Sequence, residues 1–313
     1  MNNEISKIIN EVEKAISGKR EIIAKIITSI LANGHILLDD VPGVGKTTMA
    51  IAISRALGLE FGRVQFTPDV LPSDVTGFSM YNKETGLLEY VQGAAMGVNL
   101  LLGDEINRTS SKTQSALLEA MEERQITVDG TTRPLKDPFI VIATQNNVGT
   151  TGTQLLPYAQ LDRFIIKLSI GYPDIKSEKE VIRGRQTDNP LENVESVISA
   201  IDVINMQNEV SKITVKDSII DYIVRLAEKS RQHELLELGI SPRGSLFVNK
   251  MAKAKAYLEG RDYVIPKDVQ DVFIDACSHR VLLSQLAKSK KITPSQVLCD
   301  LIDTVIVPDS ILK

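Results

Sequence analysis

Asp40-Val41-Pro42-Gly43-Val44-Gly45-Lys46-Thr47-Thr48 lies between an apolar run, His35-Ile36-Leu37-Leu38, and a helical stretch from Thr47 to Leu57. Strand, glycine loop and helix in that order make a phosphate-binding arrangement. Gly43 and Gly45 let successive backbone N–H groups turn toward an anion, and the following helix adds the positive end of its dipole. In that geometry Lys46 reaches the β- and γ-phosphates of a nucleotide and the Thr47 hydroxyl ligates Mg2+. The P-loop pattern G-x-x-x-x-G-K-[ST] has glycine where this chain has Asp40, a departure that weakens the match without undoing its context. The expected nucleotide-binding residues are therefore Asp40, Val41, Pro42, Gly43, Val44, Gly45, Lys46, Thr47 and Thr48.

A second apolar run, Val98-Asn99-Leu100-Leu101-Leu102-Gly103, ends in Asp104-Glu105. A buried parallel strand delivers its last side chains to the carboxyl edge of the sheet, where α/β proteins bind ligands. Asp104 there holds Mg2+ with Thr47, and Glu105 accepts a proton from an attacking water. Alone, such an ending is equally that of a strand leaving the core into a solvated turn. Downstream of a P-loop it supplies the metal ligand and base that the loop lacks.

Further strands are expected at Arg63–Phe66, Phe139–Thr144 and Ile165–Ile170, which with the two above give five interleaved with helices, the pattern of a parallel α/β sheet. The strand at Phe139–Thr144 brings Asn146 to the sheet edge, where its amide can orient the lytic water. In Thr67–Asp74, Ser73 is a candidate cap for a short helix. Hairpins are expected over 78–91 and from Gln125 through the Asp129-Gly130 turn toward Leu135, and a helix over Thr113–Glu123. Two amphipathic helices precede the loop, joined at Ser17-Gly18-Lys19-Arg20, a joint that suits either a plain turn or a position near a nucleotide base.

After Pro173 the pattern becomes helical only, with segments near 175–186, 195–209, 215–230, 242–259 and 266–280. The expected domains are thus 1–172, an α/β nucleotide-binding core, and 173–313, a smaller all-α domain. Ser241-Pro242 and Thr293-Pro294 each pair a capping hydroxyl with a first-turn proline. Arg243 then falls in a helix's first turn, unfavourable for a cation unless an anion such as a bound phosphate lies in front of it.

The 313 residues carry 36 Lys and Arg against 40 Asp and Glu, a net charge of -4, with seven Phe, seven Tyr and no Trp. This balance gives no support to a nucleic-acid-binding surface of basic patches and stacking aromatics. Cys277 and Cys299 form no C-x-x-C and are expected as reduced thiols, and the three histidines are too scattered for a zinc site. No apolar run approaches the ~20 residues that span a bilayer, and the N-terminus has no secretory pattern. A cytoplasmic protein is expected.

The strings VQFTPDVLPSDVTG (64–77), LLGDEINRTSSKTQSALLEAMEE (101–123), VIATQN (141–146), YAQLDRF (158–164) and SPRGSLFVNKMAKAKAYLEGRDYVIPKDV (241–269) closely resemble the MoxR family of AAA+ ATPases. The similarity extends from about residue 15 to 280. It implies a five-stranded AAA+ core with a helical lid, an insertion after the second strand at 78–91, and a ring, commonly hexameric, with ATP and Mg2+ bound between subunits. By position, Lys46 and Thr47 match the Walker A residues, Asp104 and Glu105 the Walker B metal ligand and base, and Asn146 sensor 1. Arg243 matches the sensor 2 arginine that contacts phosphate from the lid, and Arg163 the arginine finger acting on a neighbour's ATP. The resemblance implies a chaperone-like role toward a client, often a von Willebrand A-domain protein. Two other readings stand beside it: an ATP-gated assembly scaffold with little turnover, and a chelatase or nucleic-acid motor. Departures from the family pattern include Asn147 after sensor 1, Gly149-Thr150-Thr151-Gly152, Ser110-Ser111 and Gly93-Ala94-Ala95.

Overall fold

The computed structural model describes residues 3–146, 156–184 and 189–308. The departures at Asn147 and Gly149–Gly152 lie outside the described residues, as does the end of the helix expected near 186. Helices α1 (Asn3–Glu13) and α2 (Arg20–Leu31) bury isoleucine stripes at helical spacing, Ile5, Ile8, Ile9 and Val12 on the first and Ile23, Ile26, Ile27 and Ile30 on the second. Strand β1 (Ile36–Asp39) leads through the glycine loop into α3 (Lys46–Ala56), which begins one residue before the expected start. Then come β2 (Phe61–Gln65), the short α4 (Pro72–Thr76) and a hairpin of β3 (Phe78–Asn82) and β4 (Leu87–Val91). Ser73 is not the cap of α4. The Asp74 carboxylate accepts the Leu71 N–H at 2.8 Å, because the chain enters the helix one residue before Pro72.

Strand β5 (Leu100–Asp104), helix α5 (Ser111–Glu123), the hairpin β6 (Gln125–Val128) and β7 (Thr131–Pro134), strand β8 (Ile140–Gln145), the short α6 (Tyr158–Leu161) and β9 (Ile166–Leu168) complete the α/β part. Asp129 and Gly130 make the expected turn, both with left-handed backbone. The five parallel strands run in the order β2-β5-β8-β1-β9, so the strand before the glycine loop lies between β8 and β9. Every residue of β5 and β8 is buried, which accounts for their unbroken apolar runs. Alternate residues serve two cores. Leu37, Leu101 and Val141 pack on the α5 side with Leu117, Met121 and Phe164, while Ile36, Leu38, Leu102 and Ile142 pack on the other with α1, α2 and α3.

The helical part that follows comprises α7 (Ile175–Gly184), α8 (Ala200–Lys212), α9 (Asp217–Arg231), β10 (Leu236–Leu238), α10 (Pro242–Leu258), α11 (Pro266–Cys277), β11 (Leu282–Leu283), α12 (Gln285–Ser289) and α13 (Pro294–Thr304). Its apolar faces join the core formed by α1, α2 and α3. Helix α8 starts at Ala200, later than the expected 195, because Ser199 and Asp202 form a reciprocal capping box. Helix α11 ends at Cys277, before the expected 280, where the chain turns toward β11. The expectation of helices alone is corrected by the antiparallel pair β10 and β11, strands of three and two residues, too short to carry a periodicity.

His35, at the amino end of β1, is buried. Its Nδ1 accepts the Val141 N–H at 3.0 Å, so Nε2 carries the proton that it donates to the Met121 carbonyl, also at 3.0 Å. Burial, reinforced by the Arg124 charge, pushes its pKa down to about 3. Burial likewise holds His279 well below the ordinary value. Each imidazole gains a proton more easily in the unfolded chain, so its stabilising effect is complete above about pH 6.5 and is lost as pH falls below that, for His35 down to about 3. We predict that unfolding free energy drops by about 1.4 kcal/mol per pH unit from His35 alone across that window. Urea midpoints measured at pH 7 and pH 5 test this. His35→Gln should flatten the slope, and an unchanged slope would clear His35 of the effect.

Candidate active site at two edges of the sheet

At the carboxyl edge the glycine loop takes the shape its sequence requires. Gly43 and Gly45 have φ of 85° and 93°, left-handed values that side chains disfavour, and a Cβ at Gly43 would meet no atom within 4 Å. The loop therefore presents an open cradle of N–H groups at the start of α3. Beside it lies a cavity of about 880 Å³ whose walls include Ile16, Ser17, Lys19, Val44, Thr48 and Leu191. The Ser17–Lys19 joint thus stands beside the phosphate loop. Asp40, the departure from the P-loop pattern, accepts the Val41 N–H at 2.9 Å, the Ser169 hydroxyl at 3.0 Å and the Gly171 N–H at 2.7 Å. Its side chain pins the loop to the segment that leaves β9 for the lid, a task a glycine cannot perform.

Lys46 is buried and bridges the ends of β1 and β8. Its Nζ donates to the Asp40 carbonyl at 2.9 Å, the Gln145 carbonyl at 3.4 Å and the Asn146 Oδ1 at 2.6 Å. Burial lowers its pKa, opposed by the charges of Asp40, Asp104, Asp39 and Glu105. Asn146 passes the connection on, donating from Nδ2 to the Glu105 carboxylate at 2.6 Å. Thr144 donates to Asp104 at 2.6 Å and accepts the Glu105 N–H at 2.9 Å. Glu105 itself has φ 58°, a left-handed conformation that costs a non-glycine residue about 1–2 kcal/mol and swings its side chain out of the strand line.

Sequence reasoning missed the cations and amide that hold these acids. Arg63 donates to Asp104 at 2.8 Å, Arg108 to Glu105 at 2.8 Å and Gln65 to Glu105 at 3.2 Å. The signal was present in β2, where Gln65 pairs in register with Asp104 and Arg63 lies two residues away on the same face. Asp104 and Thr47 offer the hard oxygen ligands that suit Mg2+, which when bound would neutralise charge on the phosphates.

Arg163 and Arg243 are not brought to this edge. Arg163 precedes β9, and the Ile165 N–H donates to the His35 carbonyl at 2.8 Å, which places the segment at the amino edge of the sheet. There the Glu122 carboxylate bridges both arginines, Arg163 Nε at 3.1 Å on one oxygen and Arg243 on the other. Glu122 belongs to the last turn of α5, where cations are favoured. It is also the anion that the first-turn Arg243 requires, so within one chain a carboxylate occupies the place expected for a phosphate.

Asp162 and Arg280 hold this edge together. The Arg280 side chain is fully buried and donates to Asp162 Oδ1 at 2.9 Å, to the Ile165 carbonyl at 3.2 Å and to the Ala276 and Phe164 carbonyls. Asp162 also accepts the hydroxyl of Ser241, whose oxygen in turn accepts the Gly244 N–H at 3.0 Å and caps α10. One ion pair therefore fixes the residue before Arg163 and the cap two residues before Arg243.

With two edges so equipped, comparison with known proteins is decisive. The model of the ATPase family associated with various cellular activities (AAA) matches residues 35–166, and that of the AAA lid domain matches residues 228–301. The chaperone MoxR1 of Mycobacterium tuberculosis is 36% identical over 97% of this chain and 82% of its own. The chain belongs to the MoxR family of AAA+ ATPases. The protein YeaC of Bacillus subtilis, whose function is uncharacterized, is 48% identical, covering 97% of this chain and 95% of its own. Among solved structures, a candidate ATPase from Cytophaga hutchinsonii superposes with a TM-score of 0.91 at 38% identity, covering 98% of this chain and 96% of that one. A MoxR-family ATPase hydrolyses ATP.

Arg280→Ala leaves the Asp162 carboxylate without its buried partner. We predict a loss of about 3–5 kcal/mol in unfolding free energy, read from denaturant midpoints. A midpoint within about 1 kcal/mol of the parent would show that the pair is not the anchor of this edge.

Proposed function

We propose that this MoxR-family ATPase turns over Mg2+-ATP in sites shared between adjacent copies of a ring and uses the cycle to remodel a client protein. The observation that carries the reading is the placement of Arg163 and Arg243 together at the amino edge, away from their own glycine loop. Two guanidinium groups that one carboxylate can bridge are spaced to bridge the oxygens of a γ-phosphate, and an adjacent copy presents that phosphate. Glu105 is the base toward water, Asn146 orients it between that base and Lys46, and Asp104 with Thr47 holds the metal. The glycine loop from Asp40 to Thr48 holds the triphosphate. Residues 1–172 act as the core and 173–313 as the lid that carries Arg243.

Client remodelling is supported by two features. The relative from Mycobacterium tuberculosis is named a chaperone. The β3–β4 hairpin also leaves Met80, Tyr81, Leu87 and Leu88 each more than half exposed, an apolar tip suited to a protein client and ill suited to nucleic acid. No helix among the described residues is long and apolar enough to cross a membrane, and Cys277 and Cys299 are free thiols, which fits the cytoplasm as the setting. A scaffold with little turnover has no need for a base wired through Asn146 to the phosphate-binding lysine.

ATPase rate measured against protein concentration tests the shared site. Specific activity should rise with concentration, and Arg163→Ala should lose roughly 10³-fold or more of the plateau rate. Glu105→Gln should keep ATP binding and lose turnover, whereas Lys46→Ala should lose binding. A specific activity independent of concentration, with Arg163→Ala unimpaired, would show that each chain works alone.

A further inference from the structure

The amino edge holds more positive charge than two arginines supply. A cavity of about 220 Å³ there is bordered by Arg124, Arg163, Arg243 and Lys250, with Glu122 as its one acid. Arg124 is committed to the fold, donating to the Asn33 carbonyl and side chain and to the Phe139 carbonyl. Glu122 is divided between Arg163 and Arg243. Lys250 is different. It lies seven residues after Arg243 on α10, about 10 Å along the helix and on the same face, with Phe247 between them. Its ammonium sits 5.8 Å from the centre of the Phe247 ring, and no carboxylate among the described residues pairs with it.

Four cations around one shared carboxylate repel one another, and that repulsion is relieved by an anion with several charged oxygens. A carboxylate carries too little charge to do so, whereas a triphosphate matches it. We propose that Lys250 is a third cation of the shared site, binding the triphosphate held on the adjacent copy's glycine loop alongside Arg163 and Arg243. This rests on the shared-site reading above. Burial and the neighbouring Arg124 lower the pKa of Lys250, a cost that an arriving polyphosphate reverses. The ammonium, on a flexible stem, adds charge where the two planar guanidiniums have already fixed the geometry.

The full-length chain, at the concentration where its ATPase rate has reached a plateau, provides the test. Lys250→Gln should lower kcat roughly 100- to 1,000-fold, the range for removing one charge-stabilising donor, while the chain still binds ATP at its glycine loop. Lys250→Arg should restore most of the rate. Mixed in equal amounts with Lys46→Ala, Lys250→Gln should recover activity above either variant alone, because the Lys46→Ala copy brings an intact Lys250 to a neighbour's intact loop. Arg163→Ala, alone and mixed with Lys46→Ala, serves as the reference. If Arg163→Ala is inactive while Lys250→Gln keeps the parent kcat, Lys250 is excluded and the shared site stands. Recovery in the Arg163→Ala mixture without recovery in the Lys250→Gln mixture would confine Lys250 to its own chain and overturn the proposal. An Arg163→Ala protein with full kcat would remove the shared site and Lys250 with it.

Discussion

A parallel strand has chemically different ends, and β1 sets the distance between them. Five steps along the strand at about 3.3 Å each separate His35 from Asp40 by about 16 Å before the loop begins, farther than an arginine side chain extends. The residues immediately before β1 and β9, His35 and Ile165, are held off the phosphate loop by that length. Because β9 lies beside β1 in register, Arg163 inherits the separation, and Arg243 shares it through Glu122. The sheet thus keeps both arginines away from their own chain's glycine loop for geometric reasons. No lid rotation is needed to explain why the arginines and the Walker residues lie apart.

The amino edge is fixed as firmly as the carboxyl edge, by different means. The glycine loop is shaped by backbone conformation, whereas the arginine pair is positioned by Arg280, a charge buried between the lid and the start of β9. An isolated guanidinium in that position would be very costly, and the carboxylate of Asp162 with several carbonyls offsets it. Such an arrangement tolerates little displacement, because its carbonyl and carboxylate acceptors are each fixed in place. It gives the lid and the arginine-bearing segment a common frame. Asp40 makes the corresponding link at the other edge, from the loop to the exit of β9, so both ends of β9 are tied to functional segments.

Much of this was legible in the residues. The five strands, both hairpins, the caps at Ser241 and Thr293 and the grouping of Lys46, Asp104, Glu105 and Asn146 all follow from local patterns of apolar runs, turn residues and capping hydroxyls. The features that escaped depend on contacts distant in sequence. Arg63 on Asp104, Glu122 between two arginines and the meeting of β10 with β11 join segments that no periodicity connects. Asp40 read as a flaw in a motif because its partners, Ser169 and Gly171, lie about 130 residues later in the chain. Ser73 had the right chemistry for a cap but the wrong position, since Pro72 sets where the helix begins.

The guanidiniums on the Walker acids differ from Arg280 in one respect that bears on turnover. Arg63 and Arg108 are more than 40% exposed in their ion pairs, so water competes for them and each pair contributes little, at most about 1 kcal/mol. Asp104 and Glu105 are thus kept paired and oriented at small energetic depth, and a stronger cation or a reacting water can replace Arg63 or Arg108 without a large penalty. Thr144 and Asn146, by contrast, are buried. The buried partners therefore set the positions of the two acids, and the exposed arginines add only a weak, screened contact. Buried arginines on the acids would instead tie their charge far more firmly, at a desolvation cost the exposed pairs do not carry.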